Sequence, residues 1–86
     1  MSGPGPDCEL RLRARMMIDQ RRLPDTPPQS IWGGYGTVEP CTLCGKPILP
    51  RDIEYELRYG TAQYRFHFRC HAAWQSEQER RAPRQV

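Results

Sequence analysis

At 86 residues the chain has room for one small domain and some tail, and such a domain buries only about 60% of its extended surface, so its core needs a staple. The net charge of +3, with 13 Lys and Arg against 10 Asp and Glu, permits a nucleic-acid or acidic partner without demanding one. There is no 18-residue apolar run, and Met1-Ser2-Gly3-Pro4-Gly5-Pro6 lacks the apolar stretch of a signal segment, which excludes a membrane-spanning helix and predicts a cytoplasmic chain.

Residues 1–6, rich in Gly and Pro, predict a disordered tail. Asp7 has the chemistry of an N-cap for a helix running to about Arg22, and Pro24 would end it. Leu10, Ala14, Met17 and Arg21 share one face, Leu12, Met16 and Leu23 are offset from it, and Arg11, Arg15 and Arg22 point elsewhere. The expected element is an amphipathic packing helix with a solvated arginine face. Cys8 stands alone at its start and reads as a free thiol.

Residues 24–40 read as a linker, because Pro24, Pro27, Pro28, Pro40 and the run Gly33-Gly34-Tyr35-Gly36 disfavour regular structure. The glycines are not followed by a helix pattern or by Lys-Ser/Thr, so this is not a phosphate loop. Ile31, Trp32 and Tyr35 are costly to leave in water, and they are expected to lie over the domain core or against a partner.

Two soft-ligand pairs follow, Cys41-x-x-Cys44 and His67-x-x-Cys70, with 22 residues between them. Tetrahedral Zn²⁺ takes four thiolate or imidazole ligands, and two short-spaced pairs can supply all of them. In a reducing compartment the cysteines argue for metal rather than for disulfides. His71 is the alternative ligand, since His67-x-x-x-His71 is also a metal-binding spacing. Cys41, Cys44, His67 and Cys70 form the simpler set because the Cys70 thiolate offsets more of the metal's charge.

Between the pairs, residues 53–59 alternate, with Ile53, Tyr55, Leu57 and Tyr59 on one face and Glu54, Glu56 and Arg58 on the other. Gly60-Thr61 suits a two-residue type II′ turn. That turn sets Tyr59 against Ala62, Leu57 against Tyr64, Tyr55 against Phe66 and Ile53 against Phe68 on the apolar face. On the polar face it sets Arg58 against Gln63, Glu56 against Arg65 and Glu54 against His67. Glu54 could then accept the free ring N–H of His67 and fix its tautomer, or stand as an exposed strand charge. Phe68 to about Arg81 reads as a helix with Cys70, Ala73, Trp74 and Glu77 on one side, stopped by Pro83.

The expected fold is therefore a small α+β domain: an N-terminal amphipathic helix over 7–23, a linker over 24–40, and a zinc-stabilised treble clef of knuckle, hairpin and helix over 41–82. Cys41-x-x-Cys44-Gly45-Lys46-Pro47-Ile48 followed by His67-x-x-Cys70 resembles the first zinc module of a LIM domain, and the helix after the second pair is similar to that of GATA-type treble-clef fingers. The resemblance covers about residues 41–78. A LIM domain would continue into a second zinc module, and GATA-type fingers use four cysteines.

The resemblance implies protein binding in the first case and DNA binding in the second. A filled set of four ligands leaves no place for a catalytic water, and neither a Ser/His/Asp set nor a nucleotide loop is present, so the chain is not expected to be an enzyme. The reading is a non-catalytic interaction module with one structural Zn²⁺ and a protein partner, presenting Trp32 and Tyr35. The alternative is a nucleic-acid-binding regulator using Arg69, Arg80, Arg81 and Arg84.

Overall fold

The structure, a computed structural model, describes residues 6–81. Its elements are α1 (Pro6–Asp19), β1 (Ser30–Tyr35), β2 (Ile53–Tyr59), β3 (Ala62–His67) and α2 (Phe68–Arg81), a small α+β arrangement. The hairpin has the predicted register, with Tyr59 opposite Ala62, Leu57 opposite Tyr64, Glu56 opposite Arg65 and Glu54 opposite His67. Gly60 has φ +59°, the left-handed first turn position that a type II′ turn requires. The expected Ile53–Phe68 pair does not form, because α2 already begins at Phe68. Ile53 is instead opposite Tyr35.

That last pairing corrects the linker reading. Residues 30–35 form a third strand, antiparallel to β2, with Ile31 opposite Leu57, Trp32 opposite Glu56 and Gly33 opposite Tyr55. Gly33 and Gly34 lie within the strand with room around them, and Gly36, one residue beyond it, marks a close backbone approach. A Cβ on Gly36 would collide with the Ile48 and Leu49 carbonyl oxygens, whereas one on Gly33 would make only ordinary contact with the Tyr55 ring, at 3.6 Å. The prolines flank the strand and do not interrupt it. Ile31, Trp32 and Tyr35 do not lie over the core, the first of the two expected places: they are 48%, 64% and 77% exposed.

Helix α1 includes Pro6 and Asp7, so Asp7 lies inside the helix instead of capping it, and Pro6 takes a first-turn position where its missing N–H costs nothing. Residues 1–5 and 82–86, including the predicted tail, the Pro83 stop and Arg84, lie outside the described residues. The helix also ends three residues earlier than predicted. Arg21 adopts φ +60°, its N–H donates to the Ile18 carbonyl (3.0 Å), and the Arg22 N–H donates to the Met17 carbonyl (2.8 Å). These are the two bonds of a Schellman cap, with arginine where glycine is usual. The chain reversal buries Leu23 beside Ala14, Met17 and Ile18 and leaves Leu12 and Met16 outside.

The α2 face is the predicted one: Cys70, Ala73, Trp74 and Glu77 are buried. Trp74 stacks on Phe66 with centroids 5.7 Å apart, and its Nε1–H donates to the Pro24 carbonyl at 2.9 Å. One apolar core joins α1, the sheet, the Cys41–Ile48 loop and α2. Buried Glu77 ties the helices together: its carboxylate meets Arg80 Nη2 at 2.8 Å, Arg15 Nε of α1 at 3.2 Å and Arg81 Nε at 3.3 Å. Arg81 Nη2 also reaches Asp19 of α1 at 2.7 Å.

Candidate metal centre

The loop between β1 and β2 builds half of the site. Its two legs are held by the Val38 N–H donating to the Ile48 carbonyl (2.8 Å), the Ile48 N–H donating to Glu39 (3.0 Å), and a bridge between Pro40 and Pro47. At the tip the Cys41 N–H donates to the Lys46 carbonyl (2.8 Å) and the Gly45 N–H to the Cys41 carbonyl (2.9 Å). The reversal passes through Gly45 at φ +80°, which a side chain would strain. The result is a tight knuckle with both sulfurs on its inner side.

The knuckle docks on the outer edge of β3. The Thr42 N–H donates to the Arg65 carbonyl at 2.7 Å, and the Arg65 N–H donates to Thr42 Oγ1 at 3.1 Å. Arg13 of α1 adds a bond from its Nε to the Leu43 carbonyl. These contacts carry Cys41 and Cys44 to the β3–α2 junction, where His67 is the last strand residue and Cys70 lies in the first helical turn.

The ligating atoms of Cys41, Cys44, His67 and Cys70 lie within 4.8 Å of one another, and this cluster could hold one metal ion. Cys41 and Cys70 are buried, while Cys44 and His67 are half-buried. His67 Nδ1 faces Cys44 Sγ at 3.5 Å and Cys70 Sγ at 3.9 Å. Its other nitrogen, Nε2, lies 3.2 Å from the Pro47 carbonyl, a pure acceptor, so the ring proton sits on Nε2 and the Nδ1 lone pair points at the sulfurs. Donation from the Cys70 thiol, helped by backbone donors at Cys44 and His67, holds Cys41 down to about 4 against the effect of burial. The same bond to Cys41 pushes Cys70 upward.

The structure relocates two predicted roles. Glu54 is directly opposite His67 but does not bond it. Its Oε1 accepts from Thr37 N (3.1 Å) and Thr37 Oγ1 (2.9 Å), and its Oε2 faces Arg65 Nε at 3.3 Å. The knuckle loop folds over this face of the sheet, burying Glu54 and giving its carboxylate nearer partners. Pro47 takes the orienting part instead, and only its carbonyl matters, so no side-chain pattern could have marked it. His71 lies outside the cluster. One residue past Cys70 the helix turns its ring toward the sheet, where it stacks on Tyr55 at 4.6 Å, and burial lowers its pKa.

The remaining candidates are dispersed. Trp32 and Tyr35 are exposed on β1, and Arg69 is exposed on α2. Arg80 and Arg81 are engaged with Glu77. Cys8 is an exposed free thiol. No helix among the described residues is long and apolar enough to cross a membrane. No protein-family model matches the chain, nor does any curated protein or solved structure.

Proposed function

We propose that the chain is a structural-zinc interaction module of treble-clef type, cytoplasmic and without catalytic activity. The observation that carries this is the convergence of three sulfurs and one imidazole nitrogen from two separate chain segments. Zinc–sulfur bonds of about 2.3 Å and zinc–nitrogen bonds of about 2.0–2.1 Å in a tetrahedron require sulfur–nitrogen separations of about 3.6 Å. The observed 3.5 and 3.9 Å fit that requirement with little movement. When bound, the ion would cross-link the knuckle to the β3–α2 junction. Four protein donors then fill the coordination shell and leave no position for a substrate or an activated water. Thiolate ligands suit a reducing compartment.

The partner in this reading is a protein. Ile31 and Tyr35 on one face of β1 and Trp32 on the other are exposed apolar and aromatic side chains of the kind that interfaces use. The arginines favour nucleic acid less, because Arg80 and Arg81 already neutralise Glu77 and Asp19.

Native mass spectrometry tests the metal assignment. The wild-type chain and His71→Ala should each carry one zinc, and Cys44→Ser should lose most of it. Retention of zinc by Cys44→Ser, or its loss from His71→Ala, would overturn the ligand set.

A further inference from the structure

The two edges of the sheet are treated differently. The Gly36 N–H donates to the Asp52 carbonyl at 2.9 Å, which fixes the phase of the β1–β2 ladder. Ser30, Trp32 and Gly34 therefore direct their backbone groups toward β2, and Ile31, Gly33 and Tyr35 direct theirs outward. On β3 the corresponding outward groups at Arg65 are taken by Thr42 of the knuckle. No described residue does this for β1. The exposed edge Ser30-Ile31-Trp32-Gly33-Gly34-Tyr35 has neither the charge nor the proline with which proteins usually guard such edges.

We infer that this edge pairs with its own copy, joining two chains through antiparallel β1 strands about a twofold axis at Gly33. The inference rests on the interaction-module reading and names its partner. Only one register joins all the outward groups to one another: Gly33 faces Gly33, and Ile31 of one copy faces Tyr35 of the other. A shift of the dyad to Trp32 would call on Gln29, whose N–H already donates to the Arg58 carbonyl.

The side chains fit the same register. Trp32 of each copy lies opposite Gly34 of the other, and nothing comes within 4 Å of where a Cβ on Gly34 would sit. An aromatic ring across from a strand glycine restores the packing the glycine lacks. On the opposite face, Tyr35 of one copy comes beside Ile31 of the other, at the mouth of a groove of about 540 Å³ lined by Pro28, Ile31, His71 and Trp74. The three most conspicuous exposed side chains of β1 are thus covered in one step. The pairing is isologous and closed, as a twofold interface must be.

An interface of one short strand is at the small end of the range, so association in the micromolar range is expected. Sedimentation equilibrium of the zinc-loaded 86-residue chain, from about 1 μM to about 1 mM, should show the 10.0 kDa species converting to one of twice that mass. Trp32→Lys, and separately Gly33→Pro, should weaken association at least about tenfold with zinc content and circular dichroism unchanged. Gly33→Pro removes an outward N–H and spares the β2 ladder. If it perturbs the fold, Trp32→Lys carries the test alone. In a dimer of one labelled and one unlabelled copy, NOEs should link the Trp32 indole to Gly34 across the seam.

A zinc-loaded chain that stays monomeric at about 1 mM overturns the self-pairing and leaves the metal reading intact. So does a dimer that ignores both substitutions. A monomer whose β1 edge takes up another protein's extended strand likewise refutes the second copy as partner while keeping the interaction reading. A metal-free dimer sensitive to Trp32→Lys would support the pairing and refute the dependence of the fold on zinc.

Discussion

Stripping the metal with a chelator at neutral pH is expected to unfold the chain rather than merely loosen a loop. Structural zinc contributes on the order of 10–16 kcal/mol to folding, whereas a domain's whole net stability is about 5–15 kcal/mol. The apolar core does not compensate, because Cys41, Leu43 and Ile48 of the knuckle are part of it and reach it only when the knuckle is closed. The wild-type far-ultraviolet circular dichroism should therefore collapse on chelation and return with stoichiometric zinc. A spectrum unchanged by complete metal removal would show that the core suffices alone. The Arg13–Leu43 and Thr42–Arg65 contacts would then be the bonds closing the knuckle.

Glu77→Gln is expected to lower stability by about 2–3 kcal/mol at pH 7, measured by urea unfolding with zinc present. Glu77 is 2% exposed, and hydrogen bonds from Arg80 first, then Arg81 and Arg15, hold its carboxyl at about 2 against the opposing effect of burial. An amide would leave the buried ends of these guanidinium contacts without a counter-charge. Arg15 is 44% exposed and Arg80 is 58% exposed, so both can rehydrate, which keeps the loss below that of a fully buried pair.

The sign with pH follows. A carboxyl depressed in the folded state contributes fully above its unfolded pKa, near 4.5, and the contribution fades as pH falls from there through about 2. Metal ligands must be deprotonated, so acid releases the zinc first. The Glu77→Gln deficit should thus stay constant across the pH range in which the metal remains bound. A deficit below about 0.5 kcal/mol would mean that the helices are joined by apolar packing alone.

The sequence makes some of this architecture plain and hides the rest, for physical reasons. The hairpin was legible because a period of two, a Gly-first turn and a matched Glu56–Arg65 pair all constrain the same register. The metal cluster was legible because ligand chemistry demands particular residues at short spacing. β1 was not: its glycines and its exposed aromatics follow no burial alternation, since an edge strand with one uncovered side has no reason to show it. The early end of α1 depends on Arg21 taking a left-handed conformation that arginine rarely adopts.

The error over Glu54 has a different origin. Register correctly placed it across from His67, yet register says nothing about a loop folding over that face and bringing Thr37 and Pro47 into reach. Backbone carbonyls and long-range loop contacts leave little trace in local pattern, and the finer tuning of this site is made of both.

X-ray absorption at the zinc edge of the loaded chain tests the central claim most directly. Three sulfur scatterers at about 2.3 Å and one nitrogen at about 2.0–2.1 Å are predicted, with the multiple-scattering signature of a single imidazole. A shell containing a solvent oxygen, two imidazoles, or only two sulfurs would contradict a closed site built from Cys41, Cys44, His67 and Cys70.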